Sequence, residues 1–171
     1  RTIHDFGGFP RELYEMQYPA PGKPQLAMHI TQVLAPLAVA SDQQWGLDHG
    51  TWSVLCHVFP KADVPVVQLS LDTSRRGAFH YALARELRSL RDEGVLILGS
   101  GNMVHNLPLF DYHDPNPPDW AARCDSEIKK RILERDHDAL ISYETLGPDA
   151  RLAVPTPGHY YPLLYTLALQ D

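Results

Sequence analysis

Apolar residues along the chain recur mainly at helical spacing. A stripe three to four residues apart follows Pro24, a residue that suits the first turn of a helix, and continues through Leu26, Ile30 and Val33. A second stripe, Phe79, Leu83 and Leu87, predicts a helix over 75–92 that ends at Gly94. Further helices are predicted near 10–14, from Thr51 as a cap through Trp52, Leu55 and Val58, from Trp120 to Ile132, over 138–146 and over 159–169.

Two largely apolar runs predict strands instead. Residues 64–71 and 95–100 are apolar enough to be buried on both faces, as strands of a parallel sheet are. A short strand is also expected at Val39 and Ala40. The order of strand, helix and strand predicts a right-handed crossover. The sequence therefore predicts a single α/β domain over residues 1–171, with a central, largely parallel or mixed sheet flanked by helices.

Composition narrows the classes of partner. The chain has 171 residues and a net charge of −6 without a basic cluster, so we expect no nucleic-acid partner. Its apolar stretches fall far short of a membrane span, so no membrane partner is expected. Cys56 and Cys124 lack the paired spacing of a zinc site, and we expect two unlinked thiols and a cytoplasmic protein.

Three of the nine histidines stand at junctions between predicted elements. His105 follows the run at 95–100 and the sequence Gly-Ser-Gly-Asn, and the carboxyl end of a buried strand is where α/β proteins bind ligands. His159 stands at a helix start bounded by prolines. His49 lies between Asp48 and Gly50, and an imidazole near neutral pKa is the usual proton shuttle.

These residues leave other interpretations open. His105 and His159 are also compatible with hydrogen-bonded structural histidines, and His49 with a histidine in a surface loop. The glycines at 99 and 101 give a faint dinucleotide-binding pattern, but the third glycine is absent and Pro108 interrupts the helix that should follow. Taken together, the three histidines favour a site with a metal and a base.

Several motifs in sequence order resemble the class III extradiol ring-cleavage dioxygenases, in the DOPA 4,5-dioxygenase-like branch. They are TIHDFGGFP at 2–10, YPAPG at 18–22, GLDHGTW at 46–52, VPVVQLS at 64–70, LRDEGVLILGSGN at 90–102, VHN at 104–106, TP at 156–157, HY at 159–160 and PLLY at 162–165. They run through nearly the whole chain, which makes the resemblance specific.

The resemblance implies a non-haem metal site that opens a catechol ring with O₂. It places His105 and His159 at the metal, and His49 in the substrate pocket as a proton-transfer group. His105 is also expected to return a proton during ring opening. Neutral imidazole suits Fe(II) and Zn(II) alike, so we expect one divalent metal, Fe(II) for dioxygenation or Zn(II) as a bound form without redox chemistry.

The chain departs from the family pattern at two places. The family carries two more metal histidines in N-terminal segments, and neither of those motifs occurs here. We therefore expect the family's N-terminal segment as further residues before Arg1 or as a separate piece, which would bring both histidines and the first strand or strands of the sheet. The alternative is a chain whose own residues close the sheet. Gly158 stands where the family usually has Glu, a change expected to loosen the loop that presents His159.

The expected function is thus extradiol dioxygenation of a catechol-type, DOPA-like substrate. One alternative is a metal-dependent hydrolase that uses a metal-bound hydroxide. A second alternative is a non-catalytic binding protein on the same fold. Consumption of O₂ with a catechol separates the first function from both alternatives.

Overall fold

The computed structural model describes residues 1–111 and 113–170. The chain packs as two compact units, Arg1–Ser70 and Leu71–Asp171. The interpretation of residues 1–171 as one catalytic domain stays a prediction.

The first unit forms around an aromatic and aliphatic core. Its helices are α1 (Arg11–Glu15), α2 (Pro24–Val33) and α3 (His49–Val58). Trp52 and Leu55 on α3 are buried with Tyr18, Leu47 and Ala62. Leu47 lies two residues before α3, so this core packs against the segment that leads into the helix.

The second unit is built on helices that bury one apolar face each. They are α4 (Gly77–Glu86), α5 (Ser89–Asp92), α6 (Asp119–Glu134), α7 (His137–Ile141), α8 (Pro148–Ala153) and α9 (Tyr161–Ala168), with 3₁₀ turns at Leu107–Leu109, Tyr143–Leu146 and Pro157–His159. Helix α4 packs on α9, and α6 packs on α7 and α8. Ile128, Leu140, Tyr160 and Leu164 are fully buried and form its centre.

The predicted central sheet is not seen in residues 1–111 and 113–170. Residues 64–71 and 95–100, and the pair Val39 and Ala40, form neither helix nor strand. The one bridge recorded there is parallel and isolated, between Thr2 and Leu47. A strand is defined by a ladder with a neighbouring segment, and an apolar run cannot by itself provide that neighbour. Leu96 is 69% exposed, so the run at 95–100 is not buried on both faces as expected.

Most predicted helices are present with shifted ends. The helix expected over 75–92 is divided into α4 and α5, and Gly94 beyond it has φ +80°, in the left-handed region that favours glycine. Helix α3 begins at His49, because Asp48 and not Thr51 accepts the capping hydrogen bond. Helix α8 was not expected. The polar, proline-rich sequence at 111–118 also predicts a loop, and Tyr112 within it lies outside the described residues.

Neither cysteine is engaged in a disulfide. Cys56 is partly buried and Cys124 is buried, and burial raises the pKa of the Cys124 thiol to about 11. In the described part of the chain, no helix is long and apolar enough to cross a membrane.

His80 on α4 is fully buried. Its Nε2 donates to the carbonyl of Asp72 at 3.0 Å, so in the neutral ring Nδ1 accepts from the hydroxyl of Tyr165 at 3.1 Å. Its ring also lies 4.3 Å from that of Tyr161 on α9. His80 is therefore a structural link between α4 and α9.

Burial of His80 predicts a loss of stability in mild acid. Desolvation lowers the pKa of His80, against the smaller opposing effect of Asp72. In the unfolded chain the His80 imidazole thus becomes protonated near pH 6.5, whereas in the folded protein it stays neutral until the pH is lower. The free energy of unfolding is therefore expected to be independent of His80 protonation above about pH 6.5 and to decrease as the pH drops below that value.

Urea unfolding followed between about pH 5 and pH 8 measures this dependence. His80→Gln should flatten it, whereas His57→Gln, at an exposed position of α3, should leave it in place. An unchanged slope in His80→Gln would refute the assignment.

Candidate active site

His49 is the first residue of α3, and two side chains fix that helix end. The carboxylate of Asp48 accepts from the backbone N–H of Thr51 at 3.0 Å. Gln68 donates to the other oxygen of Asp48 at 2.6 Å and accepts from the Thr51 hydroxyl at 2.8 Å. The cap is itself held, so the backbone at His49 has a defined position.

The His49 ring faces Asp5. One carboxylate oxygen of Asp5 lies 2.8 Å from Nδ1 of His49 and accepts from the His49 backbone N–H at 3.0 Å. Burial opposes ionisation of Asp5, but the hydrogen bonds from His49 outweigh it and hold the pKa of Asp5 below its ordinary value. An ionised Asp5 is therefore paired with a histidine that is 43% exposed at the side chain.

His105 and His159 are presented by segments that run beside each other. The backbone N–H of Asn102 donates to the carbonyl of His159 at 2.8 Å, and that of His105 donates to the carbonyl of Ala153 at 2.8 Å. The Asn106 side chain donates to the carbonyl of Leu152 at 2.7 Å. These bonds hold the two histidines in neighbouring positions.

The glycines at 99 and 101 make this approach possible. A Cβ at Gly101 would collide with the carbonyl of His159, and one at Gly99 would lie 2.5 Å from the carbonyl of Pro162. By contrast, a Cβ at Gly158 would meet only a methyl of Thr73, at 3.7 Å. The Gly-Ser-Gly sequence is thus required by backbone contact, whereas Gly158 is not.

Gly101→Ala is accordingly expected to destabilise the protein by at least about 1–3 kcal/mol, the usual cost of forcing atoms into a packed site. Gly22→Ala is the matched control, because a Cβ at Gly22 meets nothing within 4 Å. Its effect should stay within about 0.5 kcal/mol. Urea unfolding measures both, and equal stability of the two variants would contradict the role given to Gly101.

The imidazole rings of His105 and His159 are stacked. Their centroids are 3.5 Å apart and their planes differ by 10°. Both residues are half-buried. The structure thus brings together two side chains that the sequence placed 54 positions apart.

This pair fits a transition metal in donor type and proximity. A metal binds imidazole nitrogen at about 2.0–2.1 Å and near the ring plane, so one ring must rotate out of the stack before both can bind one ion. Catalytic zinc sites use three protein ligands, and non-haem Fe(II) sites commonly use two histidines and a carboxylate. Among the described residues no group of three or more His, Cys, Asp or Glu side chains could hold a metal, so a metal held by this pair would need further ligands.

Asp5 and Gln68 were not singled out from the sequence, although both belong to motifs quoted above. Asp48 is adjacent to His49 in sequence, but its carboxylate caps α3. Contacts between positions 5 and 49 or 48 and 68 depend on the tertiary fold. The local sequence offers no spacing that would reveal them.

Comparison with known proteins identifies the family. The model of the catalytic LigB subunit of aromatic ring-opening dioxygenase matches residues 1–171. Proteins named 4,5-DOPA dioxygenase extradiol are similar to the chain, at 45% identity over 99% of it in Escherichia coli K12 and at 43% over 95% of it in Beta vulgaris. The chain spans 64% and 62% of the length of those two relatives.

A solved structure agrees with this relationship. The crystal structure of an uncharacterized protein from Escherichia coli K12 superposes with a TM-score of 0.83 at 40% identity, covering 92% of this chain and 66% of that one. The match supports a LigB-type fold for the chain. The chain belongs to the family of the catalytic LigB subunit of aromatic ring-opening dioxygenases.

Proposed function

We propose that this chain acts in extradiol dioxygenation, in which a catechol-type, DOPA-like ring is opened by O₂. Both oxygen atoms enter the product, and the carbon–carbon bond beside the two hydroxylated carbons breaks, so no external reductant is needed. The observation that carries the proposal is the stacked pair His105 and His159, held between two bonded segments in a chain of this family. Relatives at 45% and 43% identity bear the name of that activity.

His105 and His159 are the residues that would hold a metal. Bound there, Fe(II) would lower the pKa of the catechol hydroxyl and bring substrate and O₂ together, whereas Zn(II) has no redox chemistry to offer O₂. Two backbone hydrogen bonds, from Asn102 to His159 and from His105 to Ala153, keep the two imidazoles near each other before any ligand binds. Rotation of one ring is the adjustment that binding requires.

His49 is proposed to take a proton from a substrate hydroxyl at Nε2. Its Nδ1 is engaged by the carboxylate of Asp5 at 2.8 Å, which leaves the other nitrogen as the basic position of the neutral ring. A positioned imidazole typically contributes about 10²–10⁴-fold to such a step. The role is supported by the side chain's 43% exposure, which leaves it accessible.

The second role expected of His105, return of a proton during ring opening, competes with ligation. A nitrogen bound to a metal carries no proton. A ligating His105 would therefore act only through its other ring nitrogen. We propose ligation as its main role.

We further propose that the remaining ligands come from a companion segment outside the described residues. Two imidazoles are too few for the sites that Fe(II) and Zn(II) form in enzymes. Leu96 and Leu98 are 69% and 42% exposed on a run that has the composition of a strand, as expected of a segment that another strand covers. Intact mass and metal content measured on one sample test this, and a metal bound tightly by residues 1–171 alone, at 19.3 kDa, would refute it.

An oxygen electrode tests the function. With Fe(II) and a catechol such as DOPA, we expect O₂ uptake matched by loss of the catechol, and neither in anaerobic buffer. A hydrolase would turn over its substrate without O₂, and a binding protein would consume none. The dioxygenase is rejected if the protein, loaded with metal and supplied with the companion segment, takes up no O₂ or takes it up equally without a catechol.

A further inference from the structure

The hydrogen bonds of Asp5 bear on which nitrogen of His49 carries the proton. The same carboxylate oxygen meets the backbone N–H of His49 at 3.0 Å and its Nδ1 at 2.8 Å. An ionised carboxylate only accepts hydrogen bonds, so Nδ1 must be the protonated nitrogen. In the neutral ring Nε2 is then the basic one.

Phe6 restricts the orientation of the His49 imidazole from a second side. Its ring meets that of His49 edge to face, with centroids 5.6 Å apart and planes at 84°. Phe6 itself packs against Tyr14 at 5.0 Å and Phe9 at 5.3 Å. Two consecutive residues therefore hold the imidazole, one by a charged hydrogen bond and one by contact.

The segment that carries Asp5 is fastened to α3. The backbone N–H of Ile3 donates to the carbonyl of Leu47 at 2.8 Å, within the isolated parallel bridge. The indole of Trp52 donates to the carbonyl of Ile3, also at 2.8 Å. These two anchors lie on either side of His49 in sequence, so Asp5 is held opposite the ring by bonds independent of its own.

Asp48, the nearer carboxylate in sequence, is committed elsewhere. Its two oxygens meet Thr51 and Gln68 at the start of α3. It therefore fixes the helix end, and Asp5 is the carboxylate that contacts the ring.

We infer that Asp5 is a positioning residue, which holds His49 in one tautomer with Nε2 as the base for the substrate proton. The inference rests on the proposed role of His49 in catalysis. Asp5 does not touch the reacting atoms and acts through the ring. This assigns the Asp-Phe pair of the N-terminal motif to the orientation of a side chain 44 residues away.

A long-range proton–nitrogen correlation spectrum reads the tautomer without reference to activity. In the parent protein at about pH 8, where a free imidazole is neutral, His49 should be protonated on Nδ1. Asp5→Asn should produce a mixture, because an amide presents either an acceptor or a donor to the ring. Asp42→Asn is the matched control, since Asp42 is exposed and accepts from the backbone of Gln44 and Trp45 without contacting a histidine. Protonation on Nε2 in the parent, or an unchanged spectrum in Asp5→Asn, overturns the inference.

A double-mutant cycle reads the catalytic consequence in the Fe(II)-loaded holoenzyme. Asp5→Asn should lower kcat with little change in KM, by no more than the about 10²–10⁴-fold that a positioned base contributes, and Asp42→Asn should leave both unchanged. In the His49→Ala background the same change at Asp5 should have almost no further effect. An equal loss in both backgrounds means that Asp5 does not act through His49.

The cycle also separates this inference from the function on which it rests. If His49→Ala itself leaves turnover intact, the proposed role of His49 fails, and with it the catalytic consequence of Asp5. The tautomer measurement then still decides whether Asp5 positions the ring. Thermal unfolding of each variant confirms that the comparison is made between folded proteins.

Discussion

Loss of either imidazole of the stacked pair is expected to abolish stoichiometric metal binding. His105→Ala and His159→Ala should each weaken metal affinity by more than about 100-fold, because loss of a residue that merely supports a ligand already costs about 10–100-fold. Each should reduce turnover to the background of the unloaded protein. The two losses should not add, since one missing ligand is enough to empty the site.

Metal analysis of the holoenzyme after dialysis against a chelator checks this expectation. His57→Ala is the control, because His57 is exposed on α3 and lies outside the candidate site. Retention of full metal content by His105→Ala or His159→Ala would show that the stacked pair is a structural contact. An equal loss of metal in His57→Ala would mean that the chelator strips the metal from any variant, so that the loss does not identify the ligands.

Removal of the proposed base is expected to separate metal binding from catalysis. His49→Ala should lower turnover by about 10²–10⁴-fold and leave metal content unchanged, since the ring is assigned to proton transfer and not to ligation. Loss of metal in this variant would instead identify His49 as a ligand. Stability should change little, because the ring is 43% exposed and the cap of α3 comes from Asp48.

Added imidazole should restore part of the activity that His49→Ala loses, because it can supply the missing base. A matched variant at Gln68, Gln68→Ala, acts on the helix end and not on the base. It should lower stability by about 0.5–2 kcal/mol, the range for a weakened cap, without recovery by imidazole. This contrast distinguishes a lost base from a displaced helix.

Local sequence patterns predicted the helices whose apolar stripe packs against another helix. The stripe of Cys124 and Ile128 became the buried face of α6. The predicted strands fared differently, because residues 95–100 have strand composition but no ladder in the described chain. Composition favours a conformation, whereas a sheet also depends on which segment lies alongside.

The candidate site shows the same limit. Histidines at 49, 105 and 159 stood out from their junction positions and from the family motifs, and the structure brings the last two into contact. Their roles stay predictions. The carboxylate that faces His49 was invisible to local spacing, since it lies 44 residues away.

Glycines explain how the stacked pair is assembled. Gly99 and Gly101 allow one backbone to pass against the carbonyls of Pro162 and His159 at distances that a side chain would prohibit. In the sequence they resembled part of a nucleotide-binding loop. The structure gives them a packing role that brings two histidines together.

Isotope labelling of O₂ tests the central claim most directly. The holoenzyme is supplied with a catechol and isotopically heavy O₂, and the ring-opened product is examined by mass spectrometry. We predict label from O₂ in both new oxygen positions, read most securely in the carboxylate because an aldehyde oxygen exchanges with water. A product whose new carboxylate oxygen comes from water, or a catechol converted equally well without O₂, would contradict extradiol dioxygenation by this chain.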